Sequence, residues 1–328
     1  MPKIPALDGL RGFAALAVLF FHAGFAQARG GSLGVDVFFV LSGFLITSIA
    51  AREIDATGGM DLRRFFERRA RRLLPALILM VVVYLIAAPY LTPRYADRRW
   101  VDAGLALFYL TNFAEAHKPH YGPLSHTWSL AVEAHFYLVW PFVLLFLRRM
   151  TRARAALIIA VAWFAATLAR IGWMQLGDTS GFAYYATPMH ASGLLLGAVV
   201  ALAPVRPPAS PAIGYGALAA LAALIVFGGR WGFQYDVPLA EVATALLILN
   251  PPKLLAWRPF TALGLISYGV YLWHIPLNHA LGRPPVLVLA AASIVAATVS
   301  YFAVERWFIT SRRPRAPLGA PALDKGTV

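Results

Sequence analysis

Residues 33–51 read LGVDVFFVLSGFLITSIAA, a run whose one ionisable side chain is Asp36. At a rise of about 1.5 Å per residue, a helix of this length matches the hydrocarbon thickness of a bilayer, about 30 Å. Comparable apolar runs lie at 8–27, 73–92, 127–147, 155–174, 186–203, 211–229, 237–250, 260–280 and 286–308. The expected fold is therefore an all-α integral membrane bundle of ten transmembrane helices. The run 237–250 is short, and Pro251-Pro252 ends it. Residues 100–113 (WVDAGLALFYLTNF) are apolar but too short to cross, and read as a re-entrant or interfacial helix.

Composition supports this reading. Of 328 residues, 59% are hydrophobic and 13% charged, with a mean hydropathy of +0.65. So little polar surface cannot coat a water-soluble globule, which excludes an ordinary cytosolic enzyme. The absence of cysteine excludes disulfide frameworks, thiolate catalysis and Cys-based metal sites. The formal charge of +14 would suggest nucleic acid on a soluble protein. Here it suggests basic loops on one side of a membrane, and no nucleic-acid partner is expected.

The distribution of charge sets the orientation. With ten spans and both termini cytoplasmic, 21 of the 29 Lys and Arg fall on the inner side, seven of them arginines within 52–72. Counting 100–113 as a crossing would send the arginines of 148–154 outside. The first run precedes Ala26-Gln27-Ala28, which resembles a signal-peptide cleavage site, but Asp8, Arg11 and His22 interrupt it, so it reads as an uncleaved helix. Residues 1–308 form the expected membrane domain. Residues 309–328, short, basic and rich in Pro, read as a disordered cytoplasmic tail.

Ionisable residues inside spans are costly and mark candidate sites. Arg11 and His22, eleven residues apart, return to one stripe of the first helix, about 16 Å apart along it. His126, Ser129, Glu133 and Tyr137 form a second stripe at three- and four-residue steps, from which His135 points away. The same arithmetic puts His22, Asp36, Glu133, His190 and His274 in the outer halves of five spans, which suggests one polar cavity open to the outside. On the inner side, Arg63, Arg64, Arg68, Arg69, Arg71 and Arg72 read either as an anchor on anionic lipid headgroups or, for Arg69 and Arg72 on one face, as a phosphate clamp. No nucleotide loop or metal-ligand set appears, so no metal is expected.

Five segments in this order carry a resemblance: LDGLRG (7–12) leading to FFH (20–22), GVDVFFVLSGFLI (34–46), FFERRARRL (65–73), WSLAVE with FYL (128–138), and ISYGVYLWH (266–274). Over nearly its whole length the chain resembles the membrane-bound acyltransferase 3 family. The resemblance implies an O-acyltransferase of the cell inner membrane that uses cytoplasmic acyl-CoA, typically acetyl-CoA, as co-substrate. The acceptor it implies is a hydroxyl of an extracytoplasmic glycan or of a small molecule. The family's Arg-x10-His motif falls on Arg11 and His22, its Arg-x-x-Arg motif on Arg69 and Arg72, and its Ser-x-x-x-Glu motif on Ser129 and Glu133. Many relatives carry an additional extracytoplasmic hydrolase-like domain, absent from these 328 residues, so an accessory extracytoplasmic transferase is an expected partner.

The expected mechanism docks CoA phosphates on Arg69, Arg72 and Arg11, with the acyl group reaching toward His22. That imidazole acts as general base or carries the acyl group itself, and Glu133 orients it. Asp36, His126, Ser129, Tyr137, His190 and His274 are expected to line the supporting polar cavity. The rival class is a transporter or proton-coupled permease using Asp36, Glu133 and Glu241. A third is a non-enzymatic membrane assembly factor.

Overall fold

A computed structural model describes residues 4–177, 181–204, 210–229 and 232–310. Its main helices are α1 (Pro5–His22), α2 (Gly34–Thr57), α3 (Leu62–Leu91), α4 (Arg99–Leu107), α5 (Thr111–His117) and α6 (Trp128–Leu147). They continue with α7 (Arg152–Gln175), α8 (Ser192–Leu202), α9 (Pro211–Phe227), α10 (Phe233–Leu249), α11 (Arg258–Ala280) and α12 (Val286–Ser300), the last running on through a π turn at Tyr301–Glu305. The described residues contain no strand. By length and composition, six helical segments can cross a membrane: 31–57, 62–91, 125–147, 152–175, 258–280 and 286–309. Helices α8 and α9 are apolar but shorter. Most of the tail 309–328 lies outside the described residues.

The apolar stretch 100–113 becomes most of α4 and the first turn of α5, broken where Tyr109 takes a left-handed φ of 57°. The arginine segment is a helix continuous with the span that follows it. Asp61 caps α3 by accepting from the Arg64 N–H at 2.8 Å, so the helix begins eleven residues before the expected span. Arg69 and Arg72 consequently stand on regular helical turns, held in register with the bundle.

Helix α2 is central, with 78% of its most apolar window buried, whereas α7 and α12 bury 28% and turn residues such as Leu157, Val161, Phe164, Val295 and Val299 outward. Outward apolar faces suit lipid. Where the surroundings are as apolar as the side chains, helices associate by close packing of small residues. Helix α1 packs on α11 in this way: a Cβ on Gly264 would meet the Asp8 carbonyl oxygen at 1.9 Å, and one on Gly12 the Phe260 carbonyl oxygen at 2.4 Å. Helix α2 meets α8 likewise through Gly43 and Gly197. The α1–α11 contact is what presents Arg11 and His22 to the polar stripe of α11. Replacing Gly264 by alanine is therefore expected to cost about 1–3 kcal/mol, since the obstacle is backbone and cannot swing aside. Thermal unfolding of the purified protein reads this as a lower midpoint, and an unchanged midpoint would refute the tight seam.

Candidate active site

Two cavities lie in the bundle. The first, about 220 Å³, is lined by Arg11 of α1, Ser42 of α2, Arg69 and Arg72 of α3, Ser129, Glu133 and Tyr137 of α6, and Ser267, Tyr268 and Tyr271 of α11. Three guanidinium groups face one carboxylate there. Glu133 accepts from the Tyr137 hydroxyl. Neighbouring arginines of the α3 run are paired, Arg68 with Glu53 at 3.4 Å and Arg71 with Glu67 at 2.7 Å. Arg69 and Arg72 enter no ion pair among the described residues. Arg69 lies over the Tyr137 ring at 5.9 Å, and its buried Nε has no partner. With Arg69 half-buried and Arg72 exposed, unneutralised cations of this kind are a site for an anion, and guanidinium suits phosphate.

The second cavity, about 1050 Å³, holds His22 and His126, with Trp128, Tyr184, Tyr185, Asn278 and His279 among its walls. His22 Nδ1 lies 3.0 Å from the Val18 carbonyl oxygen and 3.1 Å from His274 Nε2. His274 Nδ1 lies 2.6 Å from the Tyr271 carbonyl oxygen. Carbonyls only accept, so His274 carries its proton on Nδ1 and offers the Nε2 lone pair to a proton on His22 Nδ1. That leaves His22 Nε2 as the nitrogen with a free lone pair, at the cavity wall. Asn278 Nδ2 donates to the His22 carbonyl oxygen at 2.9 Å and fixes the end of α1.

Hydrogen bonds join the linings of the two cavities. Tyr271 donates its hydroxyl to the His126 carbonyl oxygen at 2.8 Å and lies 2.5 Å from Ser129 Oγ, which then donates to it. His126 Nε2 donates to the Leu272 carbonyl oxygen at 3.1 Å.

The family described as an acyltransferase domain matches residues 4–305. The chain belongs to the acyltransferase 3 family. Among curated proteins it is similar to peptidoglycan O-acetyltransferase OatA of Listeria monocytogenes, 33% identical over 309 residues that cover 84% of this chain and 49% of the relative. It is also similar to O-acetyltransferase OatA of Staphylococcus aureus, 32% identical over 309 residues, covering 84% of this chain and 50% of the relative. The chain thus spans about half the length of the curated relatives it matches. No solved structure matches it.

In this acyltransferase 3 chain the expected single cavity around His22 divides into three places. His22, His126 and His274 form one cluster, with ring centroids 5.0 Å apart for the first and third and 5.4 Å for the second and third. Glu133, Ser129 and Tyr137 belong to the arginine chamber. Asp36 and His190 line neither cavity; they pair with each other, buried, at 2.9 Å, among Phe39, Trp128, Tyr184 and Phe233. Asp36 sits in the first turn of α2, where the helix dipole favours an acid. The expectation that Glu133 orients His22 is corrected by the same geometry: the partners of the imidazole are Val18 and His274, and the carboxylate is engaged with Tyr137 in the other chamber. Glu241 is also held elsewhere, by Trp163 at 2.8 Å and Ser192 at 2.5 Å.

Several residues carry the geometry without having been singled out. Ser267, Tyr268, Tyr271 and Asn278 follow helical steps along α11 together with the expected His274, and this polar stripe within an apolar run was a readable signal. Tyr268 also donates to the Leu73 carbonyl oxygen at 2.9 Å, tying α11 to α3. Another omission is His120, at the wall of the large cavity and outside the spans. Its Nδ1 lies 2.5 Å from Glu115, its Nε2 3.4 Å from Asp102, and both carboxylates are buried. The bonds to Asp102 and Glu115 outweigh burial and raise this imidazole from 6.5 to about 9. A raised value means that the ion-pair stabilisation is complete below about 6.5 and lost as pH rises through about 9. Hydrogen exchange corrected for intrinsic rate is expected to show residues 99–124 losing protection over that upper range. His120→Gln should remove the pH dependence; an identical profile in that variant would refute the role of the imidazole.

Proposed function

We propose that this protein is an integral membrane O-acyltransferase that takes an acyl group, most simply acetyl, from cytoplasmic acyl-CoA and delivers it to a hydroxyl of an extracytoplasmic glycan. In this reading the chain crosses the inner membrane ten times with both termini cytoplasmic, so the arginine chamber opens inward and the histidine cavity outward. The carrying observation is the pair of cavities, with unpaired Arg69 and Arg72 in one and a free imidazole nitrogen at the other, their linings joined by the hydrogen bonds among Tyr271, Ser129 and His126. The CoA phosphates bind Arg69, Arg72 and Arg11, and the thin pantetheine arm brings the thioester to those joining residues. His22 Nε2 removes the proton from the acceptor hydroxyl as its oxygen attacks the thioester carbonyl; the C–S bond breaks and the CoA thiol leaves with a proton. The same nitrogen supports a two-step route in which it first takes the acyl group, and rapid quench of the enzyme with radiolabelled acetyl-CoA separates the two.

Peptidoglycan enters as the acceptor from the name of the Listeria relative, and an accessory extracytoplasmic transferase is compatible with relatives twice this length. The test is acetyl-CoA turnover by the purified protein in nanodiscs. Free CoA released together with O-acetylated glycan supports the reading, and proton or solute flux without CoA release favours a permease instead.

A further inference from the structure

We propose that the 1050 Å³ cavity around His22 is an acceptor site that selects an anionic sugar. The inference rests on the reading of His22 as the acceptor-side group and adds the charge of what it serves. Among the described residues no Asp or Glu side chain lines this cavity, while Arg29, Arg94, Arg283 and His120 do. The three arginines come from three different connections, those between α1 and α2, between α3 and α4, and between α11 and α12. None of them enters an ion pair among the described residues. Under the proposed topology they are also in the wrong place for orientation: outer segments normally avoid arginine, so three that converge on one cavity need a local reason.

The rest of the wall suits a carbohydrate. Tyr95, Tyr121, Trp128, Tyr184, Tyr185 and Phe233 offer aromatic faces against which the C–H face of a pyranose can stack, with hydroxyls and an indole N–H at their edges. The volume lies at the upper end of small-molecule sites, about 300–1000 Å³. Arg283 is positioned rather than trailing. It is held at a left-handed φ of 59° by its N–H donating to the Asn278 carbonyl oxygen at 2.8 Å, and Asn278 in turn donates to His22. A carboxylate or phosphate bound at Arg283 is thereby registered against the reacting nitrogen. Asp102 and Glu115, which pair with His120, are buried, so the acceptor meets the imidazole and not these carboxylates.

The test compares N-acetylmuramic acid with its methyl ester, the same sugar without the charge, as acceptors for the full chain in nanodiscs with acetyl-CoA. Released CoA and O-acetylated sugar are both measured. At low salt the acid is expected to have a kcat/KM at least tenfold above the ester. The ratio should fall to within twofold of one in the Arg94→Gln, Arg283→Gln double variant and stay unchanged in Lys118→Gln, an outer cation that does not line the cavity. Equal use of acid and ester overturns the selectivity, as does a ratio that survives the double variant. Release of CoA that depends on His22 but responds to neither sugar overturns the acceptor site while leaving the acyltransferase reading intact. No CoA release under any condition defeats that earlier reading instead.

Discussion

His22→Ala is expected to lower kcat for acyl transfer by about 10²–10⁴, the usual worth of a positioned acid–base group, with the Kd for CoA changed less than about threefold. The separation follows from the architecture, since the imidazole lies in a different cavity from the arginines. Its orientation predicts a graded companion series. His274 accepts the His22 Nδ1 proton at 3.1 Å, so His274→Ala should also depress kcat at constant donor affinity. In His274→Gln the amide oxygen can accept the same proton and should restore much of the rate. If alanine and glutamine variants are equally impaired, His274 is a packing residue and its hydrogen bond is incidental. If His22→Ala retains full activity, the reacting group lies elsewhere and the cavity reading of the mechanism falls.

Removing both Arg69 and Arg72 should act on the other half of the reaction. Hydrogen bonds to charged groups contribute about 1.5–3 kcal/mol each, so the double alanine variant is expected to raise the Kd for CoA about 100-fold or more. Kinetics at saturating donor should change much less. The informative control is Arg63→Ala with Arg64→Ala, which removes the same charge from exposed positions of the same helix outside the chamber. A lipid-anchoring or long-range steering role makes the two double variants equivalent, whereas a phosphate site makes them differ by at least tenfold. Increasing salt should weaken CoA binding to the parent protein and leave little further to lose in the Arg69, Arg72 variant.

The two experiments probe the two sides of one seam. Helix α11 places Tyr271 and Ser267 toward the chamber and Asn278 toward the large cavity, and Gly264 lets α1 approach closely enough to share both. In the proposed reaction the two cavities bring a charged carrier and a hydroxyl acceptor within reach of one imidazole. Tyr271 is the residue where the two linings meet, and its hydroxyl bridges Ser129 and the main chain of His126.

How much of this was legible beforehand differs by residue. That Arg69 and Arg72 share a face could be read because positions three apart on one helix return to the same side, whereas Arg11 stands on another helix and only the tertiary structure brings it to them. Glu133 was placed correctly on its stripe with Ser129 and Tyr137 and given the wrong neighbour, since depth along a helix says nothing about which adjacent helix supplies the partner. Asp36 and His190, 154 residues apart, illustrate the same gap: each reads as a costly intramembrane charge, and only their contact shows that each answers the other. His120 escaped notice because it lies in a connection without periodicity, where Asp102 and Glu115 reach it only through the fold of α4 and α5.

The sequence by itself determined the all-helical membrane class, the helices that carry the arginines and histidines, and the face each one occupies. These are local consequences of hydropathy and of the 3.6-residue turn. Tertiary structure alone decided that the polar residues form two cavities and a separate ion pair, that His274 and not Glu133 holds His22, and that arginines from three distant connections share one wall. Those outcomes depend on which helices lie side by side, and that is set by close packing at Gly12, Gly43, Gly197 and Gly264, a term that depends on shape and leaves almost no trace in composition.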